Sequence, residues 1–152
     1  MRILVVSDSH GNYTALSQTV RREKPDRVLH LGDGGSELEK LAAARPELPL
    51  CCVRGNCDWG SDLPVSTTLD LAGHRLFLTH GHEYGVRMSL DRLLLAAQLA
   101  GAEAALYGHT HVQHYEVRQG MTVLNPGSIG QSGAYAVLEI TDAGLSCELK
   151  TL

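Results

Sequence analysis

Five times along this chain a hydrophobic strand runs directly into a glycine-containing loop that carries Asp, Asn or His. The loops are Asp8-Ser9-His10-Gly11-Asn12, Gly32-Asp33-Gly34, Gly55-Asn56-Cys57-Asp58, Thr79-His80-Gly81-His82 and Gly108-His109-Thr110-His111. The first of the leading segments, Ile3-Leu4-Val5-Val6, is continuously apolar, as a strand covered on both faces must be. Sheets built from such strands bind ligands in the crevice at the strands' carboxyl ends, where successive loops converge. The repetition therefore calls for an α/β fold. It gathers seven oxygen or nitrogen donors at one edge: Asp8, His10, Asp33, Asn56, His80, His109 and His111.

The order of elements agrees. Tyr13 to Glu23 reads as a helix closed by Pro25, and Ser36 is placed to cap a second helix running to about Ala44. With strands at Arg27-Val28-Leu29-His30-Leu31 and Leu50-Cys51-Cys52-Val53, the first half is strand, helix, strand, helix, strand, the signature of a parallel unit. In the second half, Thr67 to Leu71 and His74 to Thr79 flank Ala72-Gly73 as a hairpin, and a helix follows from about Ser89 to Ala100. A short strand, Ala104-Ala105-Leu106, leads to Gly108, and strands at 115–118, 121–124, 134–140 and 145–151 complete the chain. Two mixed β-sheets packed face to face, with helices outside, account for this order within a single domain spanning 1–152.

Composition narrows the function. The 152 residues are 43% hydrophobic and 20% charged, which supports one compact core. A net charge of −4 argues against stable nucleic-acid binding through bulk electrostatics. No stretch approaches the ~18 apolar residues of a membrane span, and no targeting segment is visible, so a cytoplasmic protein is expected. Cys51, Cys52, Cys57 and Cys147 suit neither a disulfide framework nor a thiolate zinc site, and a reduced compartment is the natural reading.

Imidazole and carboxylate together suit Mn²⁺, Fe²⁺, Zn²⁺ or Co²⁺. Seven donors exceed what one ion ordinarily takes from protein and suit two that share one of them. Two such ions form a clamp for phosphoryl chemistry. Asp33, flanked by glycines at a strand end, is the best candidate for the shared ligand.

These blocks resemble the calcineurin-like metallophosphoesterase superfamily, whose members carry D-x-H, G-D, G-N-[HC]-[DE], a lone histidine loop and G-H-x-H in that order. The wording SDSHGN, GNCD, THGH, GHTH and NPGS is similar to the compact YfcE-type phosphodiesterases, across Met1 to about Ser128. The resemblance implies a four-layer αββα sandwich. It also implies two divalent ions, Mn²⁺ first, with Ni²⁺, Zn²⁺, Fe²⁺ or Co²⁺ as alternatives. Asp8, His10, Asp33 and His111 would hold one, and Asp33, Asn56, His80 and His109 the other. The implied activity is hydrolysis of a small phosphodiester by a hydroxide between the ions.

One position departs from the wider superfamily: Cys57 stands where many members have the histidine proposed to protonate the leaving group. That leaves proton donation open, with His82 a candidate and Asp58 a further candidate, either catalytic or orienting a ligand or capping the next turn. Asn12 and Arg54 are candidates for substrate phosphate, against ordinary loop roles. His30, within an apolar strand, reads as structural; His74 and His114 read as solvated. Asn125-Pro126-Gly127-Ser128 is a turn by composition, and the helix from Leu93 to Ala100 is core with room for a homodimer face. Three functions stand open: a phosphodiesterase, a phosphomonoesterase on the same site, and an interaction scaffold of the retromer-subunit type, in which the metal-binding pattern is degraded.

Overall fold

The structure, a computed structural model, describes residues 1–152 and places them in two five-stranded mixed sheets. The first sheet contains β1 (Arg2–Val6), β2 (Arg27–His30), β3 (Leu50–Cys52), β9 (Ala134–Thr141) and β10 (Gly144–Thr151), in the order β10-β9-β1-β2-β3. The second contains β4 (Ser66–Leu71), β5 (His74–Thr79), β6 (Ala104–Leu106), β7 (His114–Arg118) and β8 (Met121–Asn125), in the order β4-β5-β6-β8-β7. Each has a parallel heart, β1-β2-β3 in one and β5-β6-β8 in the other, finished by antiparallel strands.

Strand alternation builds the layers. Ile3 and Val5 of β1 point into a buried cluster with Leu29, Leu76, Leu78, Leu106 and Leu124, which joins the two sheets. Leu4 and Val6, one residue out of phase, face the opposite way onto helices α1 (Tyr13–Glu23) and α2 (Gly35–Ala44) through Leu16, Val20, Leu38 and Leu41. On the far side Phe77, Ala105 and Val123 meet Leu93 and Ala97 of α3 (Asp91–Leu99). The result is the expected αββα sandwich. Two of the three hairpin turns, Ala72-Gly73 and Gln119-Gly120, put two successive residues at positive φ, as a tight turn matched to strand twist requires.

The differences from the sequence reading sit at element ends. Ser36 does not cap α2: the helix starts at Gly35 with Gly34 before it, and its first amides are met by Asp58 instead. Helix α3 is shorter than the expected 89–100 because Ser89 Oγ accepts the Asp91 amide and holds the chain in a turn ahead of it. A short helix, α4 (Ile129–Ser132), follows the Asn125–Ser128 turn, and a single 3₁₀ turn spans His82–Tyr84. Of the α3 leucines, Leu93 is buried, whereas Leu95 and Leu99 are exposed. No helix is long and apolar enough to cross a membrane. All four cysteines are free thiols.

Candidate metal centre

The parallel strands of both sheets deliver their loops to one edge. From the first sheet, β1 leads to Asp8 and His10, β2 to Asp33, and β3 to Asn56; from the second, β5 leads to His80 and β6 to His109 and His111. The loops are tied by backbone bonds: the Asp8 amide donates to Gly32 O, the His10 amide to Asp33 O and the Gly108 amide to His80 O.

Each carboxylate is anchored by one oxygen and presents the other. Asp8 Oδ2 accepts from Ser7 Oγ at 2.6 Å and from the His109 amide at 3.1 Å. Its Oδ1 then faces His111 Nε2 at 3.1 Å and His10 Nε2 at 3.4 Å. Asp33 Oδ1 accepts the Cys57 amide at 2.7 Å. Its Oδ2 lies 3.3 Å from His80 Nε2 and 3.6 Å from His10 Nε2. Asn56 Oδ1 and His109 Nδ1 complete the surroundings of His80 Nε2, at 3.0 and 3.2 Å.

Two of the imidazoles have their orientation set from behind. His80 Nδ1 lies 2.7 Å from Leu31 O and His111 Nδ1 lies 2.8 Å from Gln131 Oε1, so in each ring Nδ1 carries the proton and Nε2 offers a lone pair. The lone pair of His80 Nε2 thus meets two further acceptors, Asp33 Oδ2 and Asn56 Oδ1. Donor atoms about 3 Å apart are what ligands sharing one ion at ~2.0–2.2 Å produce. Without a cation or an extra proton such a set repels itself. Burial opposes the charged form of His80, but Asp33 and Asp8 outweigh it and raise its pKa. The chemistry of the donor set therefore fits a divalent cation.

Backbone strain is concentrated in the same place. Asp8, His10, Asp33, His109 and His111 all have positive φ, between 42° and 71°. The other non-glycine residues with positive φ are Lys24, which ends α1, and the hairpin residues Ala72 and Gln119. Each left-handed non-glycine residue costs about 1–2 kcal/mol, which persists where surrounding structure over-determines it. Two glycines make the fit possible by having no side chain: a Cβ on Gly55 would stand 2.0 Å from Asp33 Oδ1, and one on Gly108 would stand 2.0 Å from Ser7 Oγ.

The remaining candidates divide by what their polar atoms already do. Asp58 accepts four backbone amides, Asp33 and Gly55 through Oδ2 at 2.8 Å each, Gly34 and Gly35 through Oδ1 at 3.1 Å each. It buckles the loops after β2 and β3 to the start of α2, with both oxygens engaged by these amides. Asn12 has structural bonds of its own. Its Oδ1 caps α1 at Ala15 N, and its Nδ2 donates to Gly130 O. Arg54 Nη1 reaches Ser61 O at 3.5 Å and leaves the rest of the guanidinium uncommitted. The His82 ring is 5.4 Å from His80, and its buried Nδ1 has no partner. Burial first and His80 second lower its pKa, which keeps it neutral at neutral pH. Burial, then Asp33, raise the Cys57 thiol, so it stays protonated.

His30 is fully buried. The Gly32 amide donates to its Nδ1, which leaves the proton on Nε2 to meet Ser9 Oγ, and Ser9 in turn donates to the buried Glu37. Burial pulls the His30 pKa down to about 4. His74 and His114 are partly exposed and lie beside Glu103 and Glu116. Glu37, Ser7, Gln131 and Ser128 are supports the sequence reading missed. For Gln131 a signal existed: Ser128-Ile129-Gly130-Gln131 has capping-box spacing, and Ser128 Oγ accepts the Gln131 amide at 3.0 Å.

Residues 1–143 match the calcineurin-like phosphoesterase superfamily domain. The chain is also 34% identical over 147 residues to Probable metallophosphoesterase YsnB of Bacillus subtilis, covering 92% of this chain and 85% of that protein. This chain belongs to the calcineurin-like phosphoesterase superfamily. Phosphodiesterase YfcE of Escherichia coli is similar at 27% identity over 168 residues, covering 91% of this chain and 88% of that one. Among solved structures, a predicted phosphoesterase from Streptococcus pneumoniae TIGR4 superposes with a TM-score of 0.84 at 32% identity, covering 99% of this chain and 88% of that one. A single mutant of Entamoeba histolytica Vps29, at 20% identity and a TM-score of 0.76 over 100% of this chain and 99% of that one, shares the fold. As a calcineurin-like phosphoesterase the chain is a metal-dependent hydrolase of phosphoric esters.

Proposed function

We propose that this phosphoesterase works with two divalent ions and acts on small phosphodiesters. Asp8, His10, Asp33 and His111 would hold one ion, and Asp33, Asn56, His80 and His109 the other. The observation that carries this reading is the position of Asp33 Oδ2, between His10 Nε2 and His80 Nε2, one from each set. When bound, the ions supply Lewis-acid stabilisation of phosphoryl charge and a means of activating water at neutral pH.

The chain's own residues do the rest. Asp8 and Asp33, each with one oxygen tied to backbone amide, hold their donor oxygens in place before substrate arrives. Leu31 O and Gln131 keep His80 and His111 in the ligating tautomer. Arg54, uncommitted at most of its guanidinium, is the cation for substrate phosphate. His82 offers a neutral N–H to a departing oxygen. With a protonated thiol at Cys57 and a neutral His82, the site is suited to esters whose leaving group needs little proton assistance. Mn²⁺ is the proposed native ion.

The similarity to YfcE, named a phosphodiesterase, supports diester over monoester. The test is a comparison of bis(p-nitrophenyl) phosphate with p-nitrophenyl phosphate on protein loaded with Mn²⁺, Ni²⁺, Co²⁺ or Zn²⁺. A higher kcat/KM for the diester is expected. Monoester preference would reassign the substrate class, and no hydrolysis with any ion would favour a scaffold.

A further inference from the structure

The donor cluster opens into a cavity of about 310 Å³ lined by His10, Asp33, Cys57 and Asp58 among others. Beside it lies a larger one of about 790 Å³ that the phosphoryl chemistry does not use. The two share Ser36, Cys57 and Asp58 as a common wall. That wall is rigid, because the Asp58 carboxylate is held by four backbone amides and the Cys57 amide is bonded to Asp33. Anything leaving the metal centre over this wall enters the larger cavity.

The larger cavity has the composition of a ligand site. Its floor is apolar, formed by Leu38 and Ala42 of α2, Leu50 and Cys52 of β3, and Leu63. On its rim stands Trp59, 90% exposed and the only tryptophan in the chain. A large aromatic surface held in solvent beside an apolar floor is an unspent stacking face. Its charged lining is acidic, Glu39 and Asp62 beside the amide-bound Asp58, with no Lys, Arg or His. A volume within the ~300–1,000 Å³ of small-molecule sites accommodates a ring system.

The geometry points to a subsite for one ester arm of the substrate: an arm with an apolar, ring-sized body and no negative charge, stacked on Trp59. The inference rests on the phosphoesterase reading and deepens it by naming the substrate class, an organic phosphoester with such an arm rather than a polyphosphate or a carboxylated ester. Carboxylates at Glu39 and Asp62 repel a second anion, and the apolar floor gives a small hydrophilic arm nothing to bury against.

Phosphonates of the form R–PO₃ carry a single non-hydrolysable arm and test this directly on Mn²⁺-loaded protein. Methyl-, phenyl- and 4-carboxyphenylphosphonate are titrated by calorimetry and by Trp59 emission. Phenylphosphonate should bind roughly five- to tenfold tighter than methylphosphonate, the size of one aromatic stack with its buried area. It should change Trp59 emission where methylphosphonate does not, and 4-carboxyphenylphosphonate should lose the advantage. Trp59→Ala, a change at an exposed side chain, should bring the phenyl-to-methyl ratio near one while leaving methylphosphonate affinity unaltered. Equal binding of methyl and phenyl arms, full affinity of the carboxylated arm, or a phenyl preference that survives Trp59→Ala without an emission change would each overturn the subsite alone. If no phosphonate binds and no ester is hydrolysed, the phosphoesterase reading falls with it.

Discussion

The Asp33 amide donates to Asp58 Oδ2 at 2.8 Å, so the Asp58 carboxylate sets the backbone of a residue in the donor cluster. The same Asp58 oxygen accepts the amide of Gly55, one residue before Asn56. Asp58 thus registers the β2 and β3 loops against each other.

Asp58→Asn keeps the shape of that buckle but puts an NH₂ group where two backbone amides need an acceptor. Metal affinity should fall 10- to 100-fold, as when a group supporting a ligand is lost. Stability should fall by about 2–3 kcal/mol, the cost of buried donors left unpaired. Calorimetric Mn²⁺ titration and urea denaturation check the two effects, and unchanged affinity would show the buckle to be unnecessary.

Gly55→Ala would bring a methyl group within 2.0 Å of Asp33 Oδ1 and 2.5 Å of the Asp33 amide, neither of which can yield without moving the Asp33 donor. The expected result is a destabilisation of about 1–3 kcal/mol together with weaker metal binding. Retention of full metal affinity by a folded Gly55→Ala protein would contradict this placement.

Glu23 shows how the opposite end of the sheet is held. It is buried, pairs with Arg2 and Lys150, and accepts from Tyr135 Oη at 2.6 Å. Burial alone would raise its pKa, but Tyr135, Lys150 and Arg2 together lower it to about 2. A carboxyl lowered on folding contributes stability that is complete above its unfolded pKa of about 4.5 and is lost as pH falls toward 2. Glu23→Gln should therefore cost about 2 kcal/mol at pH 7. The gap between the two proteins should narrow as pH is lowered from 4.5, measured by denaturation at each pH. A gap independent of pH would mean that packing, not charge, is what Glu23 supplies.

His82 has a buried Nδ1 without a partner and sits beside His80. If its N–H meets the departing oxygen, His82→Gln should lower kcat roughly 10²- to 10⁴-fold for alkyl esters. Nitrophenyl esters, whose leaving groups need little help, should lose much less. A uniform loss across leaving groups would assign His82 to packing instead.

Much of this was legible in the residues themselves. The continuous apolar run of β1 and the polar loops after β1, β2, β3, β5 and β6 led to the parallel hearts of both sheets, because burial on two faces and convergence at one edge follow from pattern alone. The convergence of Asp8, His10, Asp33, Asn56, His80, His109 and His111 at one edge was visible for the same reason. Their supports were not. Asp58 replaces Ser36 at the start of α2 because four amides from two loops converge on it, a relation that exists only after folding. Asn12 read either as a substrate contact or as a loop residue, and its structural bonds, to α1 and to Gly130, 118 residues away, exist only after folding. The cavity beneath Trp59 joins α2, β3 and the loop after Cys57, and no local pattern announces it.

The most direct measurement is the stoichiometry of Mn²⁺ bound to the wild-type chain and to Asp33→Ala, read by calorimetric titration alongside hydrolysis of bis(p-nitrophenyl) phosphate. Two ions per wild-type chain are expected, with both sites weakened and activity abolished in the variant. One ion per wild-type chain, or an Asp33→Ala protein that keeps two ions and its rate, would contradict a centre built around a shared Asp33.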